Sequence, residues 1–182
     1  MQKIKILAVA PYEGMAETIA SIATERDDVE MTVQTGDLNT GKKIALELSH
    51  KNYDVILSRG GTAELIRSTV EIPVVDIPIS GYDILRTIKL AQNYSGKFVI
   101  AGFSGITKDA RVLCDLLQYD IDILTFTTEA DSTATLKAAK KKGCTLVLCD
   151  MTGSKAAQKL HLNSVLITSG TESINAAIDE AV

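Results

Sequence analysis

The chain has 182 residues, 46% of them apolar, with few aromatics, no Trp and a formal net charge of -4. That length suits one domain or two small lobes able to bury a core. The mildly acidic balance argues against direct binding to nucleic acid or to an anionic membrane, and no apolar run approaches the roughly 20 residues of a membrane span.

In chain order, residues 4–10 form an apolar run read as a first strand. Residues 15–26 follow as a helix with Ile19, Ile22 and Ala23 inward. Residues 30–35 alternate as a second strand, and residues 42–51 carry Ile44, Ala45 and Leu48 on one helical face. Val55-Ile56-Leu57 is a buried strand that breaks into Ser58-Arg59-Gly60-Gly61-Thr62, with helical patterning from Ala63. Residues 72–77 make a fourth strand, and a long helix runs from Ser80 towards Tyr94 through Ile84, Leu85, Ile88 and Ala91. Strands that alternate with helices over short connections predict parallel sheets covered on both faces.

At Ser95-Gly96 the pattern restarts. It predicts strands at 97–103, 121–126, 145–149 and 165–168, and helices at 107–118, 132–142, 154–160 and 172–181. The two halves correspond. Val55 to Thr62 lies against Val147 to Ser154, Val74-Val75 against Leu166-Ile167, and Ser80 to Ile84 against Ser169 to Ile174. This reads as an internal duplication, although convergence of two similar βα units gives the same few identities. The expected fold is therefore α/β, with two similar Rossmann-like lobes of parallel sheet flanking a ligand cleft. Residues 1–80 form lobe one, 81–96 a crossover helix and 97–169 lobe two, with the helix at 170–182 returning to lobe one.

Ligands of open α/β sheets bind beyond the carboxyl ends of the strands. The segments there are rich in Gly, Ser and Thr: Tyr12 with its neighbours, Ser58 to Thr62, Ser80-Gly81, Ser104-Gly105 and Asp150 to Gly153. Gly60-Gly61 between a strand and a helix lets N–H groups converge on the positive end of the helix dipole. Arg59 adds a planar fork suited to a carboxylate or phosphate. The same residues also read as a plain tight turn with Arg59 in solvent. Under the duplication, Arg59 corresponds to Met151, so charge would anchor a ligand on one lobe while Met151 and Thr152 pack it on the other. Ser80-x-x-Asp83 and Ser169-x-x-Glu172 each match a capping box. Tyr82, beside Gly81, reads either as packing or as a ligand contact.

Other chemistry lacks its parts. Cys114, Cys144 and Cys149 are an odd set without metal-ligand spacing, and His50 and His161 lie within helical patterns. No metal or cofactor is expected, and a reducing cytoplasm is the natural setting. Asp150 at a strand end resembles a phosphoacceptor but lacks the acidic pair that would hold magnesium. Cys114 and Cys149 suggest a two-thiol racemase, yet both fall in one half. Neither nucleotide-binding glycine motif occurs. The chemistry on view is recognition, with a small racemase- or lyase-like enzyme acting on a small acid as the alternative.

From Leu57 to Arg67, again over Ile72 to Val75 and Ile77 to Leu85, and at Leu166 to Ile174, the sequence closely resembles a known family. It is the N-terminal sensor domain of the propionate catabolism activator and related sigma-54-dependent transcriptional regulators. The resemblance implies a two-lobed effector-binding module and no enzyme activity of its own. In such regulators the module precedes an AAA+ ATPase and a helix-turn-helix DNA-binding domain. The effector named for the family is 2-methylcitrate, a tricarboxylate. The resemblance supports Arg59, Gly60, Gly61 and Thr62, with Ser80, Gly81 and Tyr82, as ligand-binding residues. The turn Asp150-Met151-Thr152-Gly153 departs from the family's pattern, which leaves the effector's identity open. The chain is then a sensor fragment or a stand-alone sensor. Homodimerisation is compatible with such a regulator, and no exposed apolar stripe in the sequence decides it.

Overall fold

The computed structural model describes residues 3–182; Met1 and Gln2, with which the expected first lobe begins, lie outside the described residues. The elements run β1 (Ile4–Ala10), α1 (Glu13–Thr24), β2 (Val29–Thr35), α2 (Leu38–Leu48), β3 (Val55–Ser58), α3 (Gly60–Arg67) and β4 (Val74–Asp76). They continue with α4 (Gly81–Ala91), β5 (Lys97–Gly102), α5 (Ser104–Leu117), β6 (Ile123–Thr125) and α6 (Glu129–Lys141). The last are β7 (Cys144–Cys149), α7 (Met151–Lys159), β8 (Asn163–Leu166) and α8 (Thr171–Ala181). The chain divides into two compact units. Unit one runs to Pro78 and resumes over Ser169–Val182; unit two is Ile79–Thr168.

Each unit holds a four-stranded parallel sheet, in the order β2-β1-β3-β4 in unit one and β6-β5-β7-β8 in unit two. The strand order is the same in both, as two related lobes require. The architecture is α/β and two-lobed, and the strand composition explains it. In β1, Ile6 to Ala10 are all fully buried, the mark of a parallel strand covered on both faces. Side chains alternate across the pleat. Ile6, Ala8 and Ala10 therefore join one core with Ile19 of α1, while Leu7 and Val9 join another with Ala45 of α2 and Ile66 of α3. Unit two repeats the arrangement. Val99, Ala101, Val147 and Cys149 face α6 and α7, and Ile100, Leu146 and Leu148 face α4 and α5.

The helix that follows each fourth strand covers the sheet of the other unit. Ile84, Ile88 and Ala91 of α4 enter the core of unit two, whereas Ile174, Ala177 and Ile178 of α8 enter that of unit one. Where the chain leaves unit one and returns to it, Ser169 Oγ donates to the Pro78 carbonyl at 2.9 Å.

Several boundaries differ from the expected ones. Helix α7 starts at Met151 rather than Ser154, because the Asp150 carboxylate accepts the Gly153 N–H at 2.8 Å and caps the helix at once. Thr128 caps α6 in the same way, through the Asp131 N–H, ahead of the expected start at Ser132. The Ser80 capping box is complete, with hydroxyl and carboxylate exchanging backbone N–H groups. The second expected box does not form. The N-cap of α8 is Gly170, without a side-chain cap, because the Ser169 hydroxyl is turned to Pro78.

Candidate functional site

In unit one, the carboxyl ends of β1, β3 and β4 deliver Tyr12, Arg59 and Asp76. Arg59, the N-cap of α3, is only 8% exposed. Its Nη1 donates to the Tyr12 hydroxyl at 3.0 Å, and its guanidinium carbon lies 5.7 Å from the centre of the Tyr12 ring. A guanidinium against an aromatic face is held in place electrostatically. The Tyr12 oxygen also accepts the Ser169 N–H at 3.4 Å, so one phenol links the arginine to the return crossing.

Gly60 opens α3 with φ +53°, in the left-handed region that suits glycine. The Gly60 N–H donates to Asp76 Oδ1 at 2.7 Å. The first N–H of the helix is thus met by the protein's own carboxylate. That N–H is therefore turned to Asp76 rather than presented at the helix terminus. Burial raises the Asp76 carboxyl above its ordinary value, opposed by the Gly60 N–H and by the charges of Arg67 and Arg59. Asp76 is the residue that sequence reasoning missed here. It lies 16 residues from Gly60, and only the pairing of β3 with β4 brings them together.

Two expected contacts serve the fold instead. The Ser58 hydroxyl is fully buried and donates to the Val9 carbonyl at 2.8 Å. The Thr62 hydroxyl accepts the Leu38 N–H at 2.9 Å, and its methyl fills the space beside Gly41. Gly61, in the first turn of α3, packs near Leu38.

In unit two, Ser80 and Gly81 open α4, and Tyr82 stands 62% exposed on its first turn. Arg86, four residues on, places its guanidinium carbon 5.8 Å from the centre of the Tyr82 ring. Arg86 Nη2 reaches the Thr168 carbonyl at 3.1 Å and Asp83 Oδ1 at 3.3 Å. Each unit therefore carries an Arg–Tyr pair, and Arg86 was not singled out in the sequence. The spacing Tyr82-x-x-x-Arg86 was its only local signal. Ser104 and Gly105 are exposed at the start of α5, and Met151 and the buried Thr152 open α7. Asp150, the expected phosphoacceptor look-alike, is occupied as the α7 cap and also meets the Phe103 N–H at 3.5 Å.

Burial raises all three thiols, Cys149 the furthest, which disfavours the thiolate that a racemase base would need. Among the described residues, no group of three or more His, Cys, Asp or Glu is placed to hold a metal ion, and no helix is long and apolar enough to cross a membrane.

No curated protein matches the chain. Among solved structures, an NtrC family transcriptional regulator from Clostridium acetobutylicum superposes with a TM-score of 0.84 at 25% identity, over 100% of this chain and 96% of that one. Looser likenesses include the ABC domain in complex with L-Trp from Streptococcus pneumonia (TM-score 0.49, 12% identity, 98% and 82% covered). A transcription regulator like protein from Staphylococcus haemolyticus is similar at TM-score 0.47 and 10% identity, with 99% and 92% covered. The family described as propionate catabolism activator matches residues 25–182, a span that includes Arg59, Gly60 and Asp76 and leaves Tyr12 outside it. With that match running through both units and the regulator from Clostridium sharing the fold from end to end, the chain belongs to the propionate catabolism activator family, whose members serve as sensor domains of transcriptional regulators.

Proposed function

We propose that the chain senses a small carboxylate metabolite, anchored at the strand-end face of unit one by Arg59. The observation that carries this reading is the guanidinium held nearly buried at the end of β3 by the Tyr12 hydroxyl and ring. A side chain already fixed in place loses little rotamer freedom on binding, and a bidentate carboxylate is the partner that its fork matches. Gly61 and the Tyr12 hydroxyl add polar atoms beside it, and Gly60 gives the turn that brings them close. Within unit two, Ser80, Gly81, Tyr82, Ser104, Gly105, Met151 and Thr152 are the proposed ligand contacts, with Arg86 as an additional cation. A tricarboxylate such as 2-methylcitrate, the effector that the family resemblance implies, suits more than one cation.

The signal passes along the chain crossings. Arg59 bonds Tyr12, Tyr12 bonds Ser169, and Ser169 bonds Pro78. A ligand that engages Arg59 where Tyr12 holds it acts on this series of contacts, and it shifts the conformational balance only by its difference in affinity for the two states. In a full-length regulator the output would be a sigma-54-activating ATPase and a DNA-binding domain.

Titration calorimetry of the chain against a panel of small di- and tricarboxylates, 2-methylcitrate included, tests the reading. Saturable binding is expected, weakened in Arg59→Gln by about 1.5–3 kcal/mol, the range for a hydrogen bond to a charged group. Far-UV circular dichroism checks that the variant folds. Absence of binding across the panel, or binding indifferent to Arg59→Gln, would overturn it.

A further inference from the structure

In the sheet of unit one, β3 lies between β1 and β4. Arg59 follows β3, Tyr12 follows β1 and Asp76 ends β4, so the phenol and the carboxylate flank the arginine from opposite sides. Both flanking groups have hydrogen-bonding capacity left over. The Tyr12 oxygen accepts N–H groups from Arg59 and Ser169, while its own O–H meets no acceptor among the described residues. Asp76 Oδ1 accepts the Gly60 N–H at 2.7 Å, and Oδ2 accepts no hydrogen bond among the described residues. The residue is exposed, so a ligand at this strand end can reach it. Against the burial that raises its carboxyl, the Gly60 N–H and the charges of Arg67 and Arg59 favour the ionised form, which only accepts.

This arrangement asks for two kinds of group on one ligand. Arg59 and the Tyr12 O–H offer donors, which a carboxylate satisfies. Asp76 Oδ2 offers an acceptor, which a carboxylate cannot satisfy and repels. A ligand without a donor would also displace water from Oδ2 and leave that oxygen unpaired. Sites built around a polar group discriminate strongly against such analogues. A hydroxyl or an ammonium group on the ligand meets the requirement.

Resting on the reading that Arg59 anchors a carboxylate, we infer that Asp76 sets the specificity of the site, selecting small acids that also carry a hydroxyl or ammonium group to donate to its Oδ2. The Tyr12 O–H then donates to the carboxylate that Arg59 holds. The selectivity comes from a residue that caps a neighbouring backbone N–H with one oxygen and reads the ligand with the other.

Titration calorimetry of the whole chain with matched acids tests this. Malate and aspartate are each compared with succinate, and citrate with propane-1,2,3-tricarboxylate, so that the members of a pair differ at a single hydroxyl or ammonium group. In at least one pair the donor-bearing acid is expected to bind at least about tenfold more tightly. A preference for malate and citrate identifies the hydroxyl as the group read, and a preference for aspartate identifies the ammonium. Asp76→Asn keeps an oxygen for the Gly60 N–H and puts an NH2 donor in place of Oδ2, so it should reduce the preference to about threefold or less while binding still depends on Arg59. The wild-type comparison does not depend on how well the variant folds, which circular dichroism checks. If no acid binds, or binding is indifferent to Arg59→Gln, the anchoring role of Arg59 falls and the role of Asp76 with it. If binding depends on Arg59 but the members of every pair bind alike, or the preference survives Asp76→Asn, the role of Asp76 alone is overturned.

Discussion

The return of α8 to unit one makes a quantitative prediction for Ile178→Ala. Ile178 is fully buried, in one core with Ile6, Ile19, Val55 and Leu57, none of which is adjacent to it in sequence. Truncation removes everything beyond Cβ, and at about 0.8 kcal/mol per buried methylene the transfer term is about 2.5 kcal/mol. The site is walled by a sheet and two helices, so it collapses poorly around the missing atoms. The residual cavity adds a further ~1 kcal/mol, for a total of about 3–4 kcal/mol, inside the range for such truncations. Because the chain has two units, one melting temperature is an incomplete readout. The suitable assay is hydrogen exchange resolved by peptide, alongside urea denaturation. Protection should fall in β1, β3 and α1, while β5 and β7 keep theirs at low denaturant. A loss below about 1 kcal/mol, or a loss of protection concentrated in β5 and β7, would refute the assignment of α8 to the core of unit one.

Three other substitutions probe the caps and charges. Ser80→Ala removes a complete capping box from α4 and should cost about 1–2 kcal/mol by urea denaturation, whereas Ser169→Ala, whose hydroxyl caps no helix, should leave α8 equally helical. The Arg26 guanidinium bridges Asp28 at 2.6 Å and Asp179 of α8 at 2.5 Å, and its hydrogen bond holds the Asp28 carboxyl below the ordinary 3.8. A carboxyl depressed in the folded state stabilises at pH above its unfolded value and ceases to as pH falls through its folded one. Unfolding followed from pH 6 downward should therefore show a loss below about pH 4 that Arg26→Gln largely removes.

Much of the fold was legible because parallel strands buried on both faces appear as unbroken apolar runs. Ile6 to Ala10 and Val55 to Leu57 needed no tertiary information. The correspondence of Val55 to Thr62 with Val147 to Ser154 likewise pointed to two related lobes, and the sheets share their strand order. Helix starts were less legible. Asp150 and Thr128 act through a single side-chain oxygen, which no hydrophobic period registers. Ser169-x-x-Glu172 has the right spacing for a box, but the hydroxyl had a better-placed acceptor 91 residues away at Pro78. Of the candidate site, Arg59 and its glycine turn could be read locally. The residues that define its chemistry, Tyr12 and Asp76, come from other strands, 47 positions from Arg59 and 16 from Gly60. Sequence periodicity carries no trace of such pairings.

The discontinuity of unit one also sets an order of assembly on the ribosome. Unit two is a continuous segment and can complete its core as soon as β8 has emerged. Unit one, although its first strand precedes all of unit two, lacks Ile174, Ala177 and Ile178 until unit two has been synthesised. The sheet of unit one therefore waits through the synthesis of unit two with one apolar face covered by α1 alone, open to chaperones or to misassociation with a neighbouring nascent chain. The later-made unit closes first, and α8 then seals the earlier one.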